Sequence, residues 1–407
     1  MKTRITAPIL AVASAASACA LGIRIADQAP EATARGNAFA ATADSPAAIY
    51  YNPAGITQLE GAQLKFGVYG VDFTSDYRSP TGSKSETKGQ IDAVPQLYAT
   101  WTPTDLPLSF GLGIYSPYGL SLEWPDDSGF RTIAQKGSIT YLTANPVVAW
   151  KVTSSLSIAA GLTANYSDAE LSRGLFVPGD QFRFKGDDTA VGFNAGVRWQ
   201  PQDKHAFGVT YRSATTMDYS GHSTLNTILP SPPSPYPPGY YRNAAEAKFE
   251  FPQNVVLGYS FRPTEKWNLE FNADWTDWDA LNTVNLNQQG GATVPLSFNW
   301  KSSWFYEFGA TRQLPKGFAV SAGYIYSENS VPDKSFNPIV PDSDRHIFSV
   351  GVKQSVGHWN WALAYQFAYG PWRTVSGSSS PSFIGETADG RYQATSHALS
   401  LSIGCAF

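Results

Sequence analysis

The sequence predicts an all-β membrane protein, a fourteen-stranded antiparallel outer-membrane β-barrel plugged by an N-terminal hatch. Three observations support this: composition, a period of two along the predicted strands, and connections that alternate in length. Charged residues make up 15% of the 407 residues, against roughly 25% in soluble domains. Aromatic residues reach 14%, yet mean hydropathy is only -0.23. No internal stretch supplies the ~20 consecutive apolar residues of a membrane helix, so alternate strand residues are expected to meet lipid.

Residues 397–407 show the period of two most clearly. Large apolar side chains occupy the odd positions from Leu399 to Phe407, and small or polar ones occupy the even positions from Ala398 to Ala406. Such alternation indicates a strand with one lipid-facing side. The aromatic Phe407 is typical of the closing strand that the outer-membrane assembly machinery reads, so this machinery is an expected partner.

The predicted connections alternate between short and long. The outer-membrane plan has short turns in the periplasm and long loops outside, so both termini are expected to be periplasmic in a multi-pass outer-membrane protein. Six short and seven long connections join fourteen strands. The short ones are residues 103–107, 152–154, 200–204, 262–265, 314–317 and 355–357; the long ones are 76–89, 117–137, 172–187, 214–245, 280–295, 328–343 and 371–390.

The chain divides into three predicted parts: a signal peptide (1–20), a hatch (21–61) and a barrel (62–407). Lys2 and Arg4 precede an apolar run and an A-x-A cleavage site that contains Cys19, which leaves a lipoprotein as an alternative. Cleavage after residue 20 leaves Cys405 alone, without a disulfide framework. Residues 21–61 lack a period of two. They either trail in the periplasm or fill the lumen as a plug, and their apolar runs favour burial.

Asn52-Pro53-Ala54-Gly55 ends this segment. An Asn before Pro favours an extended or turn conformation. The motif therefore predicts either a simple turn into the first strand or a rigid anchor that holds the plug across the barrel.

In this motif and several others the chain resembles the FadL/TodX-type outer-membrane transport proteins. The similarity extends to the C-terminal Phe407, and the order and spacing of the motifs carry it. The matching stretches are residues 36–41, Asp44, 51–55, 117–120, 123–125, 275–278 and 341–345.

The resemblance implies a monomeric barrel, plugged by a hatch, that takes up long-chain fatty acids or aromatic hydrocarbons. Extracellular loops capture the ligand, a lumenal pocket receives it, and it leaves sideways through a gap at a kink in strand three. In this chain Gly111 and Gly113 lie on strand three and predict a bend that forms this lateral gate. Alternatively, these glycines only make room for the hatch.

Residues 118–133 form the candidate loop for ligand capture, since their side chains are too apolar for an ordinary exposed loop. A lid packed over the barrel mouth is the alternative role. The residues concerned are Tyr118, Leu120, Leu122, Trp124, Phe130 and Ile133.

Several charged residues are expected to face the lumen, mostly in paired networks, because a lone buried charge is costly. A carboxylate ligand needs a spare guanidinium, and Arg198, Arg212 and Arg345 are the candidates. The remaining members of the predicted lumenal network are Glu270, Asp274, Glu307, Asp342 and Asp344.

The five histidines are scattered, so no metal site, cofactor or enzyme activity is expected, and an outer-membrane lipase or protease is only a formal alternative. A net charge of -4 argues against nucleic-acid binding. The expected partners are a hydrophobic ligand, outer-membrane lipid and lipopolysaccharide. The main rival function is a general diffusion porin for small polar solutes, which needs an open polar channel.

Overall fold

A computed structural model describes residues 22–229, 237–380, 382 and 384–407. The predicted signal peptide, residues 1–20, lies outside the described residues. Helix is scarce: α1 spans Pro30–Thr33 and α2 spans Ala48–Tyr51, and short 3-10 helices cover Pro53–Gln58, Trp278–Ala280, Pro315–Gly317 and Asp333–Ser335. Within the described ranges no helix is both long and apolar enough to cross a bilayer.

The rest of the described chain is dominated by twenty strand segments in one sheet. They are β1 (Gly61–Arg78), β2 (Lys84–Glu86), β3 (Ile91–Thr102), β4 (Leu108–Tyr115), β5 (Gly119–Glu123), β6 (Lys136–Lys151), β7 (Leu156–Arg173), β8 (Gln181–Gln202), β9 (His205–Arg212), β10 (Thr215–Thr227), β11 (Gly239–Phe251), β12 (Asn254–Thr264), β13 (Trp267–Thr276), β14 (Thr283–Gln288), β15 (Val294–Ser297), β16 (Ser303–Gln313), β17 (Phe318–Ser327), β18 (Arg345–Val356), β19 (Trp359–Val375) and β20 (Gly390–Ala406).

These segments make the predicted closed barrel of fourteen antiparallel strands. Segment β2 lies in a loop, and five pairs of segments (β4 with β5, β9 with β10, β11 with β12, β13 with β14, β15 with β16) each follow one path. The ring closes where β20 pairs with β1, from Gln63 opposite Ala406 to Arg78 opposite Arg391. The two faces of β20 follow the predicted alternation, since Leu399, Leu401 and Ile403 are exposed outward while Ser400 is buried.

The connections also alternate as predicted, which defines a short-turn end and a long-loop end of the barrel. The predicted loop 214–245 is wrong in extent, because β10 and β11 cover most of it. These strands continue beyond the apolar band, so their outward residues Asp218 and Lys248 are polar while their inward residues Met217 and Phe249 remain apolar and buried. Because the outward residues of β10 and β11 are polar, the sequence of these two strands predicted a loop.

Candidate functional site

The N-terminal segment, residues 22–60 of the described chain, packs against inward-facing side chains of the barrel. Nearly all of its residues are buried, with Asp44 and Glu60 exposed. Helix α1 contacts β18, β19 and β20, while the 3-10 helix Pro53–Gln58 contacts β4, β6, β7 and β8. The segment therefore contacts the wall on several sides of the barrel.

Three buried ion pairs join the N-terminal segment to the wall. Arg24 binds Asp274 with two hydrogen bonds of 2.7 Å, and its guanidinium also donates to Thr276 at 2.8 Å. Glu31 accepts from Lys65 of β1. Bidentate pairing satisfies both carboxylate oxygens of Asp274, which offsets the cost of burying these charges.

The third pair is Arg35 with Glu270, at 3.4 Å. The carboxylate of Glu270 also accepts the backbone N–H of Ala41 at 2.8 Å and that of Thr42 at 3.1 Å. These backbone groups belong to irregular chain that has no sheet partner, so the wall side chain supplies the hydrogen bonds that buried N–H groups need.

Inward-facing glycines let the N-terminal segment approach the wall closely. A Cβ at Gly323 would lie 2.0 Å from the backbone nitrogen of Gly36, and one at Gly208 would lie 2.1 Å from the carbonyl oxygen of Ala40. No side chain fits these gaps. Other wall glycines in contact with the segment are Gly196, Gly258, Gly309 and Gly351.

Asn52 of the Asn52-Pro53-Ala54-Gly55 motif makes hydrogen bonds both within its own turn and to the wall. Its side-chain oxygen accepts the N–H of Ala54 at 3.2 Å and caps the 3-10 helix. Its amide donates to Ala40 within the segment at 2.7 Å and to Val197 of β8 at 3.0 Å. Gly55 lies so close to Ala43 that a Cβ would meet its carbonyl oxygen at 2.3 Å. The motif forms a turn that is also bonded to the wall.

The wall pairing is interrupted between β4 and β5. Strand β3 pairs with β4 over Leu97–Trp101, whereas its residues 91–96 pair only with β1 among the described strands. At the interruption, Ile25 donates to the carbonyl of Pro117 at 2.8 Å and Gly119 donates to that of Ile23 at 2.8 Å. The kinked chain thus turns inward and pairs with the N-terminal segment.

Gly111 and Gly113 do not mark this interruption. Both are paired on two sides, with β3 and with β6. A Cβ at Gly111 would lie 2.9 Å from Ile49 Cδ1, and one at Gly113 would lie 2.8 Å from Ile49 Cγ2. The predicted position of the bend is corrected: the break lies at residues 116–118, and the glycines accommodate the N-terminal segment.

An apolar pocket of about 100 Å³ lies in the long-loop half of the barrel. Ile23 lines it at the N-terminal segment, and aromatic side chains such as Phe249 and Trp300 form part of its wall. Its full lining is Ile23, Leu120, Gly137, Ser138, Ile139, Ala169, Glu170, Leu171, Phe184, Tyr219, Ala247, Phe249, Val284, Leu286, Leu296, Phe298, Trp300, Ile339 and Val340.

The six predicted capture residues are all buried in the apolar cluster around this pocket, and Leu120 lines the pocket itself. Tyr118 packs edge-on against Tyr141 with ring centroids 5.2 Å apart, and Trp124 packs against Phe130 at 5.1 Å. The Trp124 indole donates to the carbonyl of Pro338 at 2.9 Å. These residues pack together in one apolar cluster at the long-loop end of the barrel.

Charged groups fasten the loops over the pocket. Arg131 pairs with Asp180 at 2.8 Å, and the same carboxylate accepts the backbone N–H groups of Leu175, Phe176 and Val177. Burial alone would raise the pKa of Asp180, but these hydrogen bonds outweigh it and lower the pKa below its usual range. Since a lowered pKa keeps Asp180 ionised, this fastening is lost only in strong acid.

The three candidate arginines for a carboxylate all have protein partners. Arg345 pairs with Asp342 at 2.7 Å. Arg198 donates to the carbonyl of Ala41 at 2.9 Å and to Gln200 at 2.8 Å. Arg212 donates to the Tyr115 hydroxyl at 2.9 Å and lies over the Tyr50 ring. None of the three lines the apolar pocket among the described residues.

The predicted lumenal network is divided between different parts of the barrel. Asp342 accepts from Ser330 at 3.0 Å and so ties a loop to the start of β18, and Glu307 accepts from Asn272 at 2.8 Å. Asp344 is not in the lumen. It is exposed and accepts the N–H of Asn329, because alternation places it on the face opposite Arg345.

Two features of the site were not predicted from the sequence. They are Arg24 and the aromatic pocket lining that distant strands contribute. Phe184, Phe249 and Phe298 continue the inward alternation beyond the apolar band, and that pattern could have revealed them. For Arg24 no such signal exists, since its partner lies 250 residues away. Within the described ranges, no three His, Cys, Asp or Glu side chains are placed to hold a metal ion.

A family model described as outer membrane protein transport protein (OMPP1/FadL/TodX) matches residues 9–407. The chain belongs to this family. The long-chain fatty acid transport protein of Escherichia coli O6:H1 (strain CFT073) is 23% identical over 350 residues, which cover 77% of this chain and 78% of that protein. The FadL/TodX barrel is an outer-membrane architecture, and family members are transport channels.

Solved structures of the FadL/TodX fold agree with the barrel. A FadL homologue from Pseudomonas aeruginosa superposes with a TM-score of 0.84 at 19% identity, covering 95% of this chain and 100% of that one. The toluene transporter TodX of P. putida gives a TM-score of 0.71 at 17% identity, covering 89% and 94%. At such identities these likenesses establish the fold alone.

Proposed function

We propose that this protein mediates passive uptake of hydrophobic compounds, long-chain fatty acids or aromatic hydrocarbons, across the outer membrane. The apolar pocket beneath the loops carries this proposal. An apolar solute gains about 0.8 kcal/mol for each CH₂ group that it buries, so an apolar pocket offers it a binding site that bulk water does not. The cited relatives, whose names refer to fatty-acid and toluene transport, support the same class of cargo.

The proposed route has three steps. Loops at the extracellular, long-loop end capture the ligand, the pocket holds it above Ile23, and it leaves sideways where β3 and β5 are unpaired. The contact of Ile23 and Ile25 with the kink supports this order, since the pocket floor and the wall interruption share the same hydrogen bonds. Lateral exit keeps an apolar solute out of water throughout its passage.

The N-terminal segment acts in this proposal as the predicted hatch, with residues 21–61 plugging residues 62–407. This disfavours the rival function of a general diffusion porin, because a porin needs an open polar lumen. The protein is proposed to work as a monomer with both termini in the periplasm, surrounded by outer-membrane lipid and lipopolysaccharide after insertion by the assembly machinery. No catalytic step, cofactor or metal is required.

A reversible block at residue 116 tests the lateral exit. Ser116 is buried beside the interruption, so a bulky disulfide-linked reagent on Ser116→Cys, in a Cys405→Ser background, should abolish uptake of a hydrophobic probe into cells. Reduction should restore it. The matched control is Ser121→Cys, two residues into β5. Normal uptake through a fully labelled Ser116→Cys protein would remove the lateral route from the proposal.

A further inference from the structure

The charge of the pocket lining is informative about the cargo. Of the residues that line it in the described part of the chain, none is Arg, Lys or His, and Glu170 alone carries a charge. The Glu170 carboxylate points to the outer face of β7, where it accepts from Arg183 at 2.7 Å and lies 3.5 Å from Lys136. The Tyr219 hydroxyl is bonded to Ser167 at 2.7 Å. The lining therefore presents apolar surface to its contents.

Three arginines around this pocket have carboxylate partners of their own. Arg24 follows Ile23 directly, yet its guanidinium makes two hydrogen bonds to Asp274 and one to Thr276. Arg131 pairs with Asp180, and Arg373 pairs with Asp333. To bind one of these guanidinium groups, a ligand carboxylate would have to displace the Asp carboxylate that is already paired with it.

Aromatic rings shape the pocket wall. Phe298 meets Phe249 edge-on with centroids 5.8 Å apart, and meets Trp300 edge-on at 5.7 Å. Such rings offer faces and edges that suit another aromatic ring. The lining and its charge thus point to the same kind of ligand.

We infer that this pocket accepts uncharged hydrophobic molecules, aromatic ones included, and rejects ionised carboxylates. The inference rests on the proposed function, since it concerns the cargo of the same pocket. An unpaired carboxylate in apolar surroundings takes up a proton rather than stay charged. A fatty acid would therefore enter as the neutral acid.

The need to protonate the carboxylate predicts a measurable loss of binding affinity. A carboxyl group with an ordinary pKa near 4.3 is about 0.1% protonated at pH 7.5. The acid should then bind up to about 1,000-fold more weakly than a neutral molecule of the same shape, and its affinity should rise about tenfold for each pH unit of acidification. A neutral molecule should show no such dependence.

The experiment compares 4-(1-naphthyl)butan-1-ol with 4-(1-naphthyl)butyrate by equilibrium dialysis against the full-length protein in nonionic detergent. Binding is measured at pH 5.5 and 7.5, where the lowered pKa of Asp180 keeps the loops fastened. A Leu171→Trp variant fills the pocket and reports partition into detergent, which is subtracted. We expect tight, pH-independent binding of the alcohol and at least about 100-fold weaker binding of the acid at pH 7.5.

Acid binding within about threefold of the alcohol at pH 7.5, and unchanged at pH 5.5, would overturn the inference. Loss of pocket-specific binding for both probes is a different result, and it would overturn the proposed function of the pocket together with the inference. The two failures are therefore distinguishable.

A second variant tests the cause directly. Leu171→Arg places a guanidinium in the lining and should raise acid affinity at pH 7.5 by at least about tenfold, since a guanidinium binds a carboxylate bidentately. Leu171→Gln is the matched uncharged control and should not raise it. Leu296→Arg repeats the test at a second lining position in case Leu171→Arg fails to assemble. A correctly assembled arginine variant without improved acid binding would contradict the inference.

Discussion

The two halves of the barrel interior differ sharply, although the same strands build both. On β8, Arg198 lies in the short-turn half and bonds the backbone of Ala41, while Phe184 lies in the long-loop half and lines the pocket. In the first half the wall meets irregular backbone, whose N–H and C=O groups need partners. In the second half the wall meets loop side chains that are apolar. An inward wall residue is therefore polar where it faces the backbone of the N-terminal segment and apolar where it faces loop side chains. The alternation of the strands alone does not determine this difference.

Removing residues 21–61 should erase this difference most completely. With no backbone left in the short-turn half, its polar wall would line an open, porin-like channel. Ion conductance in planar bilayers should rise from a closed level to that of a porin. Unchanged conductance would show that these residues do not plug the barrel. The control for barrel assembly is that the truncated protein still changes its electrophoretic mobility on heating in SDS gels.

Breaking one buried and one exposed ion pair sharpens the comparison. Arg24→Met leaves Asp274 buried without its partner and should destabilise the N-terminal segment by about 3–5 kcal/mol, measured by hydrogen exchange of residues 22–60. Lys88→Met removes the exposed pair with Glu123 in the long-loop half and should cost only about 0–1 kcal/mol.

Arg24→Met combined with Asp274→Leu removes both charges and should recover most of the lost stability. Equal effects of Arg24→Met and Lys88→Met would mean that burial does not determine how much an ion pair contributes to stability here.

The smallest expected effect concerns the glycines of β4. Gly113→Ala should clash with Ile49 and cost about 1–3 kcal/mol by overpacking, again read from hydrogen exchange of the N-terminal segment. Adding Ile49→Ala should relieve the clash and restore protection. If Gly113→Ala instead slows uptake without loosening the segment, the glycine belongs to the exit route after all.

The sequence predicted the barrel well because its signals are local. Alternation around Leu399 and Leu401, and turns such as residues 355–357, depend on neighbours in the chain. The position of the wall interruption was wrong because it depends on a distant pairing, that of Ile25 with Pro117. Glycine pairs in β4 gave a local sign of irregularity, but their cause is Ile49, about sixty residues earlier.

The interior was harder to predict than the wall. Alternation placed Glu270, Asp274 and Glu307 inside, but it gave no information about Arg24 or Arg35, because irregular chain has no period. Asp344 was placed in the lumen together with Arg345, although neighbouring residues of an extended chain point to opposite faces. The pocket-lining Phe249 of β11 was not predicted because its outward neighbours Lys248 and Glu250 are polar.

The closing seam of the barrel has a consequence for the order of events during assembly. Phe407 donates to the carbonyl of Ala62 at 2.8 Å, and the positive φ of Gly61 brings it against the Phe407 carbonyl. The N-terminal segment joins the wall at this same residue, on the first edge of the seam. Because the segment is tethered at the first edge of the seam, we expect it to enter the lumen before β20 pairs with β1. The final pairing of the barrel would then also enclose the segment.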